Sequence, residues 1–259
     1  MIPSRRHDSI LKILDQHEKV EITDLSGLLN VAEMTIRRDL SLLEQQGYLE
    51  RIRGGAARIK RLETEDLFER KSLLMKEEKI AIGKAVPQFM ENNDTVFINP
   101  GTTVLQAAMN LSNLSLRIIS NNPALTSIKL GREISLIILG GEFRPESHSM
   151  VGEQAIEMIS QIYANKAILG VDGLSIKYGL TNSSFVEAGL NRKMIEHTHG
   201  KVIVLADHTK IGKVGPFSIT PIENIDILIT TKGFPVEYLD GLKAMGITIV
   251  VANQEESPE

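Results

Sequence analysis

The chain has 259 residues, 42% of them hydrophobic and 24% charged, with a net charge of −4 and no cysteine. That make-up suits a globular protein long enough for two domains, and it excludes a disulfide framework, a thiolate nucleophile and zinc held by thiolates. The N-terminus reads MIPSRRHDSI, and no apolar run approaches the ~20 residues that span a bilayer, so a cytoplasmic protein without a membrane partner is expected.

The charge is unevenly spread. Residues 1–62 carry 11 Lys and Arg against 9 Asp and Glu, a net of +2, which leaves −6 for the remainder. A local basic patch steers a polyanion where the total does not.

In chain order, Ile10, Leu11, Ile13 and Leu14 recur at helical spacing after Ser4, a suitable N-cap. A second short helix is expected in EITDLSGLLN, burying Ile22, Leu25, Leu28 and Leu29, with Ser26 small enough for a close crossing. Asn30 tolerates the left-handed backbone of a tight turn, and Val31 packs within it. A third helix follows, with Ile36, Leu40 and Leu43 on its inner face and Met34, Arg38 and Ser41 roughly opposite. Helix, short turn, helix is the unit whose second helix enters the DNA major groove. Thr35, Arg37 and Arg38 occupy the end that meets base edges, where Arg can contact guanine in bidentate fashion. After Gly47, YLERIRGGAARIK alternates around Gly54 and Gly55, which predicts a basic hairpin wing. Glycines alone would mark any turn; helix pair, arginine pair and basic hairpin together single out Thr35, Arg37, Arg38, Ser41, Arg51, Arg53, Gly54 and Gly55 as DNA-binding candidates.

A charged connector, RLETEDLFERKSLLMKEEKIAIGKAV, leads to a second rhythm from residue 95. TVFIN, LRIIS, ISLIIL, KAILGV, KVIVLA, IDILIT and ITIVVA are short β-branched runs. VLQAAMNL, EQAIEMISQI, VEAGLNRKMIEH and EYLDGLKAM, with helical spacing, fall among them. Such alternation predicts a mostly parallel α/β sheet, whose ligands bind beyond the carboxyl ends of the strands. Those ends read NPGTT (99–103), SNNP (120–123), LGGEFRP (139–145), GVDGLS (170–175) and ADHTK (206–210). Gly101, Thr102 and Thr103, opening a helix, offer backbone N–H groups and hydroxyls to a phosphate. Lys210 adds charge, Asn121 and Asp172 suit sugar hydroxyls, and Arg144 can close over an anion. Asp207 fits a turn cap as well as a ligand contact.

The stretch VAEMTIRRDLSLLEQQGYLERIRGGA resembles the N-terminal signature of the DeoR family of bacterial transcriptional regulators, with Ala32 where the family usually has a capping Ser. FERK…EEKIAIGKAV and the second domain resemble the same family, so the likeness covers nearly the whole chain. It implies a fold similar to ribose-5-phosphate isomerase and coenzyme A transferases, and sensing of a phosphorylated sugar or polyol. The positions that match the family are Gly101, Thr102, Thr103, Asn121, Gly140, Gly141, Gly152, Asp172, Gly173, Glu187, Lys193, Asp207 and Lys210; Asn99 and Arg144 join them as effector-binding candidates. NPGTT and NNP depart mildly from the usual family residues.

The isomerase-like fold raises an alternative, a sugar-phosphate isomerase-like enzyme with Asp172 as base. GVDGLS lacks the adjacent second carboxylates of those enzymes, and two histidines at i, i+2, as in His197-x-His199, rarely share a helical face, so no catalytic residue, metal or cofactor is expected. The expected organisation is a winged helix-turn-helix domain at 1–60, a linker at 61–75, an α/β effector domain at 76–253 and a tail at 254–259. The expected function is a repressor of a carbohydrate uptake or catabolism operon, binding operator DNA as a homodimer or tetramer.

Overall fold

The computed structural model describes residues 5–17, 19–45, 49–52, 54–57, 68–233 and 236–252. They fall into two compact units, one holding the N-terminal residues with 69–74, the other Phe68 with the residues from Met75 onward.

The N-terminal unit opens with α1 (Arg5–His17) and β1 (Lys19–Glu21), followed by α2 (Ile22–Leu29) and α3 (Glu33–Gln45). Ile10, Leu11, Leu14, Ile22, Leu25, Ile36, Leu40 and Leu43 form one buried cluster, as their spacing requires. Leu28 departs from the expectation and is 67% exposed. In a helix, residues 22, 25 and 29 share a face, and position 28 falls on its flank. Asn30 adopts the left-handed conformation at φ 52°, ψ 46°. Ser26 tightens the turn, its hydroxyl donating to the Val31 carbonyl at 2.7 Å. The third helix starts at Glu33 although Ala32 has no capping side chain; the Ala32 carbonyl accepts from Thr35 and Ile36 N–H at 2.9 and 3.2 Å.

The wing pairs β2 (Glu50–Ile52) with β3 (Gly55–Ala57), and β1 joins on the far side of β3 to give the antiparallel order β1-β3-β2. This third strand was not expected. Ser4, Gly47, Arg53, Arg58, Lys60, Arg61, connector residues 61–67 and the tail at 254–259 lie outside the described residues. Of the expected linker, Phe68–Leu73 is helix α4 and Met75 precedes α5 (Lys76–Ala85) with φ 51°. Leu73 is buried in the N-terminal core.

The C-terminal unit proceeds through β4 (Thr95–Ile98), α6 (Thr102–Met109), β5 (Leu116–Ser120) and β6 (Ile134–Ile138). The hairpin β7 (Glu142–Arg144) and β8 (Ser149–Val151) leads to α7 (Glu153–Ser160) and β9 (Ala164–Gly170). Then come β10 (Gly173–Ser175), β11 (Gly179–Asn182), α8 (Phe185–Glu196), β12 (Thr198–Leu205) and β13 (Phe217–Thr220). The last elements are β14 (Ile227–Thr230), α9 (Val236–Ala244) and β15 (Thr248–Val251).

All seven β-branched runs enter one parallel sheet of order β15-β14-β12-β9-β4-β5-β6. Helices cover both faces, so each strand buries alternate residues in opposite directions. Val96 and Ile98 meet Ile82 of α5 and Val104 of α6 in one cluster; Phe97 meets Ile159 of α7 and Met194 of α8 in the other. A separate antiparallel sheet, β10-β11-β13, was not expected. The chain winds outward from β4 through β5 and β6, then returns to β9 on its other side. That reversal makes the carboxyl ends of β4 and β9 the topological switch point of the sheet.

Candidate functional site

The DNA-facing candidates divide into free and tethered groups. Met34, Arg37 and Arg38 are exposed on the outer side of α3, and Thr35 is half-buried in its first turn. Arg37 pairs with Glu33 at 3.4 Å, whereas Arg38 has no ion pair or hydrogen bond among the described residues. Arg51, a DNA-binding candidate on the wing, turns back onto the recognition helix. Its guanidinium donates to Ser41 Oγ at 2.9 Å and to the Arg37 carbonyl at 3.3 Å, while its N–H donates to Glu44 at 3.2 Å. Ser41 and Arg51 therefore bond to each other in the chain as it stands. Gly54 makes the turn at φ 84°; Gly55 is set by packing, because a Cβ there would lie 2.0 Å from the Val20 carbonyl oxygen. Arg53 lies outside the described residues.

A group missed in the sequence anchors this helix from behind. Asp39 is buried and accepts hydrogen bonds from Arg6 of α1, one of them 3.0 Å long, with His7 Nε2 at 3.1 Å. Burial works to raise the Asp39 pKa, but the bonds and charges of Arg6 and His7 outweigh it and hold the carboxyl below its ordinary value. Nothing in the sequence pairs residues 33 positions apart.

In the second unit, the five polar motifs follow β4, β5, β6, β9 and β12, which are neighbours in the sheet. Asn99 is 1% exposed and closes the reversal point. Its Oδ1 accepts from Gly170 N–H at 2.8 Å, and its Nδ2 donates to the Gly170 carbonyl at 2.9 Å and to Asn191 Oδ1 at 3.1 Å. This candidate ligand residue thus holds β4 to β9 instead of presenting a free amide. Thr102 and Thr103 open α6 and are both buried. Gly101 before them is extended at φ −173°, and a Cβ there would meet only ordinary contacts, at 3.5 Å or beyond.

Asn121, Arg144 and Glu187 are brought together by the hairpin. Asn121 Nδ2 donates to the Met150 carbonyl at 3.0 Å, and Met150 N–H donates to the Asn121 carbonyl at 2.8 Å. The Asn121 Oδ1 is buried and accepts no hydrogen bond among the described residues. Adjacent Ser149 donates to the buried Glu187 carboxylate at 2.8 Å and meets Ser147 Oγ at 2.8 Å. Arg144 donates to Ser147 at 3.2 Å and lies 3.8 Å from Glu187. Glu187 and Asn191, one turn apart on α8, join this cluster to Asn99. Asn191, Ser147 and Ser149 escaped sequence reasoning because a buried polar residue on a helix or short strand has no periodic signature.

The remaining candidates separate by role. Gly140 meets only Met158 Sδ, at 3.8 Å from a hypothetical Cβ, while Gly141 at φ 135° would strike the Val151 carbonyl oxygen at 2.3 Å. Gly152 at φ 102° precedes α7. Gly173 packs so closely that a Cβ would sit 2.6 Å from the Lys213 carbonyl oxygen. Asp172 accepts from Ser183 N–H at 3.0 Å and from its hydroxyl at 2.6 Å. Asp207 caps its turn, accepting from Thr209 N–H at 2.9 Å. Lys210 in that turn is half-buried, and its ammonium has no partner among the described residues. Lys193 stands apart. It pairs with Glu196 at 3.3 Å near the far end of α8, where the His197 carbonyl accepts from Ala164 at the amino end of β9. The helix carries it about 9 Å along its axis from Glu187, away from the strand carboxyl ends.

A helix-turn-helix head with arginines on its reading face, followed by a parallel α/β unit with polar strand ends, defines a DNA-binding regulator with a sensor domain. Residues 6–62 match the DeoR-like helix-turn-helix domain and residues 75–232 the DeoR C terminal sensor domain. The HTH-type transcriptional regulator GolR of Listeria innocua serovar 6a is 34% identical, over 97% of this chain and 100% of its own. The HTH-type transcriptional repressor GlcR of Bacillus subtilis (strain 168) is 30% identical, over 100% of both chains. Among solved structures, ribose 5-phosphate isomerase A from Methanocaldococcus jannaschii is similar at 14% identity and a TM-score of 0.38, covering 51% of this chain and 53% of that one. The chain belongs to the DeoR family, whose members are transcriptional regulators and not enzymes. No helix among the described residues is long and apolar enough to cross a membrane.

Proposed function

We propose that the protein is a cytoplasmic repressor of a carbohydrate uptake or catabolism operon, released from or tightened on its operator by a phosphorylated sugar or polyol. The observation that carries this reading is the set of five polar motifs on adjacent parallel strands, beside the point where the chain reverses. Gly101 supports a phosphate there. Neither its backbone angle nor its surroundings call for glycine, but a phosphate oxygen seated on the Gly101 and Thr102 N–H groups would. Thr103 adds a hydroxyl, Lys210 supplies a cation, and the buried Asn121 Oδ1 is an acceptor waiting for a sugar hydroxyl. Arg144 and Glu187 form a hydrogen-bonded wall that orients the remainder of the ligand. Lys193 and Asp207 have no part in this reading.

Arg37, Arg38 and Thr35 face the operator. Two-fold operators need two heads about one helical turn, ~34 Å, or a multiple apart, so we expect a dimer or tetramer assembled through the C-terminal unit. Switching from mostly bound to mostly free takes roughly 5 kcal/mol of differential ligand affinity between the two arrangements.

The test is fluorescence anisotropy on DNA from upstream of the operon at fixed salt, with a panel of sugar and polyol phosphates and their dephosphorylated forms. One phosphorylated compound should change the affinity and its dephosphorylated form should not. Gly101→Ala should keep the wild-type melting temperature and lose that response. Wild-type response in Gly101→Ala, and in the Thr102→Ala, Lys210→Ala double variant, would remove the phosphate from this position.

A further inference from the structure

We infer that Met34 is a specificity-determining residue, reading the C5-methyl group of a thymine in the major groove one or two base pairs from the guanine contacted by Arg38. The inference rests on the DNA-binding reading of α3 and adds to it a base that the arginines cannot identify.

Met34 is 76% exposed, the most exposed large hydrophobic side chain among the described residues. It lies in the first turn of α3, the turn that meets base edges in a helix-turn-helix. Its neighbours there are polar: Glu33 pairs with Arg37, and Thr35 is half-buried. No core function explains a methionine at that place, since Ile36, Leu40 and Leu43 fill the inner face. What the major groove presents to an apolar side chain is the thymine methyl. Methionine suits that contact because its unbranched, polarizable chain adapts to a surface it must find on docking.

Arg38 follows Met34 by four residues, so the two project from the same side of the helix about 6 Å apart along its axis. That spacing corresponds to one or two base-pair steps of about 3.4 Å. Arg38 is exposed and has no partner among the described residues, which leaves its guanidinium available for bidentate contact with guanine. Arg37, held by Glu33 on the flank, is better placed for a phosphate. The helix therefore carries an apolar reader and a charged reader in fixed register.

The experiment uses the full-length protein and a duplex that it selects from a randomised pool. Each thymine is replaced singly by deoxyuridine, which deletes one methyl group and leaves every hydrogen-bonding position unchanged. Affinities are measured by anisotropy at one salt concentration. For the wild type, one thymine in each half-site, within two steps of a guanine required by Arg38, should lose about fourfold on replacement, the worth of one buried methyl. Met34→Ala should bind the unmodified duplex several-fold more weakly and be indifferent to that replacement. Met34→Leu should keep the discrimination. If wild type selects a duplex but Met34→Ala responds to every replacement as wild type does, the assignment of Met34 is overturned while DNA binding stands. If the wild type selects no sequence at all, the DNA-binding reading falls, and this inference with it.

Discussion

The recognition helix and the strand ends handle their polar side chains in opposite ways. On α3, Met34 and Arg38 project into solvent, and Arg38 has no partner among the described residues. At the strand ends, Asn99, Asn121 and Glu187 are almost wholly buried and bonded to neighbouring elements. The difference is the one that the proposed partners of the two surfaces would require. A DNA duplex brings its own dense charge, and long exposed side chains can settle onto it during docking. A small polar ligand supplies few contacts, so the groups around it must be held in place beforehand or the ordering entropy outweighs the binding. Substitutions of the buried, bonded groups at the strand ends should therefore be costly to the fold, and those of the exposed side chains on α3 should be felt only on DNA.

The largest expected effect is at Asn99. Asn99→Leu leaves the Gly170 N–H, the Gly170 carbonyl and Asn191 Oδ1 without the partners they now have. Each stranded buried group costs about 1 kcal/mol or more, so the loss should reach ~3 kcal/mol and lower the melting temperature by roughly 6–12 °C. Arg38→Ala should leave the melting curve unchanged and weaken operator binding by ~1–3 kcal/mol. Equal melting temperatures for Asn99→Leu and wild type would break the contrast, since Asn99 would then be free for a ligand.

Gly55→Ala should come next. A methyl placed 2.0 Å from the Val20 carbonyl oxygen forces β1 and β3 apart, at a cost typical of overpacking, about 1–3 kcal/mol. Gly54→Ala meets no neighbour, and its cost is confined to the strained backbone at φ 84°. Urea unfolding of the two variants separates packing from turn strain; a milder effect at position 55 than at 54 would contradict the close approach of the strands.

The two regions also differ in how far their sequence revealed them. The seven sheet strands were legible because strands buried on both faces read as unbroken apolar runs. The inner faces of α1 and α3 were legible from their helical spacing. The three-residue strands β1, β7, β8 and β10 were not, since three residues carry no periodicity. NPGTT identified a polar strand end, but it did not disclose that Asn99 bonds to Gly170, 71 residues away. Similarly, Lys193 looked equivalent to Glu187 in the helical pattern, and only the direction of α8 separates them. Side-chain partners are set by tertiary pairing, which leaves local composition unmarked.

Asp39 brings the buried kind of polar cluster into the DNA-binding unit, and pH tests it. Its folded-state pKa is depressed by Arg6 and His7, so its contribution to stability is present above the ordinary carboxylate pKa of about 4 and is lost as pH falls through the lower folded value. Asp39→Asn should be less stable than wild type at pH 7, and the gap should narrow as the pH is taken below 4. Melting of both proteins at pH 7 and pH 3 measures it. A gap that stays constant or widens at low pH would mean that the carboxylate charge contributes nothing to holding α1 against α3.

Arg51 sharpens the comparison most finely, because it is a wing arginine that behaves like a strand-end residue. Its guanidinium bonds to Ser41 and to the Arg37 carbonyl on the recognition helix, so it positions α3 relative to the wing. A phosphate-contacting arginine releases a counterion, and its removal lowers the slope of log K against log salt by ~0.9. Arg51→Ala should weaken operator binding while leaving that slope where it is in wild type. Arg51→Lys should restore little, since an ammonium cannot reproduce the guanidinium's fixed fork of donors. A drop of about one in the slope for Arg51→Ala would mean that the guanidinium leaves Ser41 on docking and joins the DNA backbone. The wing would then be free-armed like α3, and the line between exposed reading groups and internally bonded ones would run inside the C-terminal unit alone.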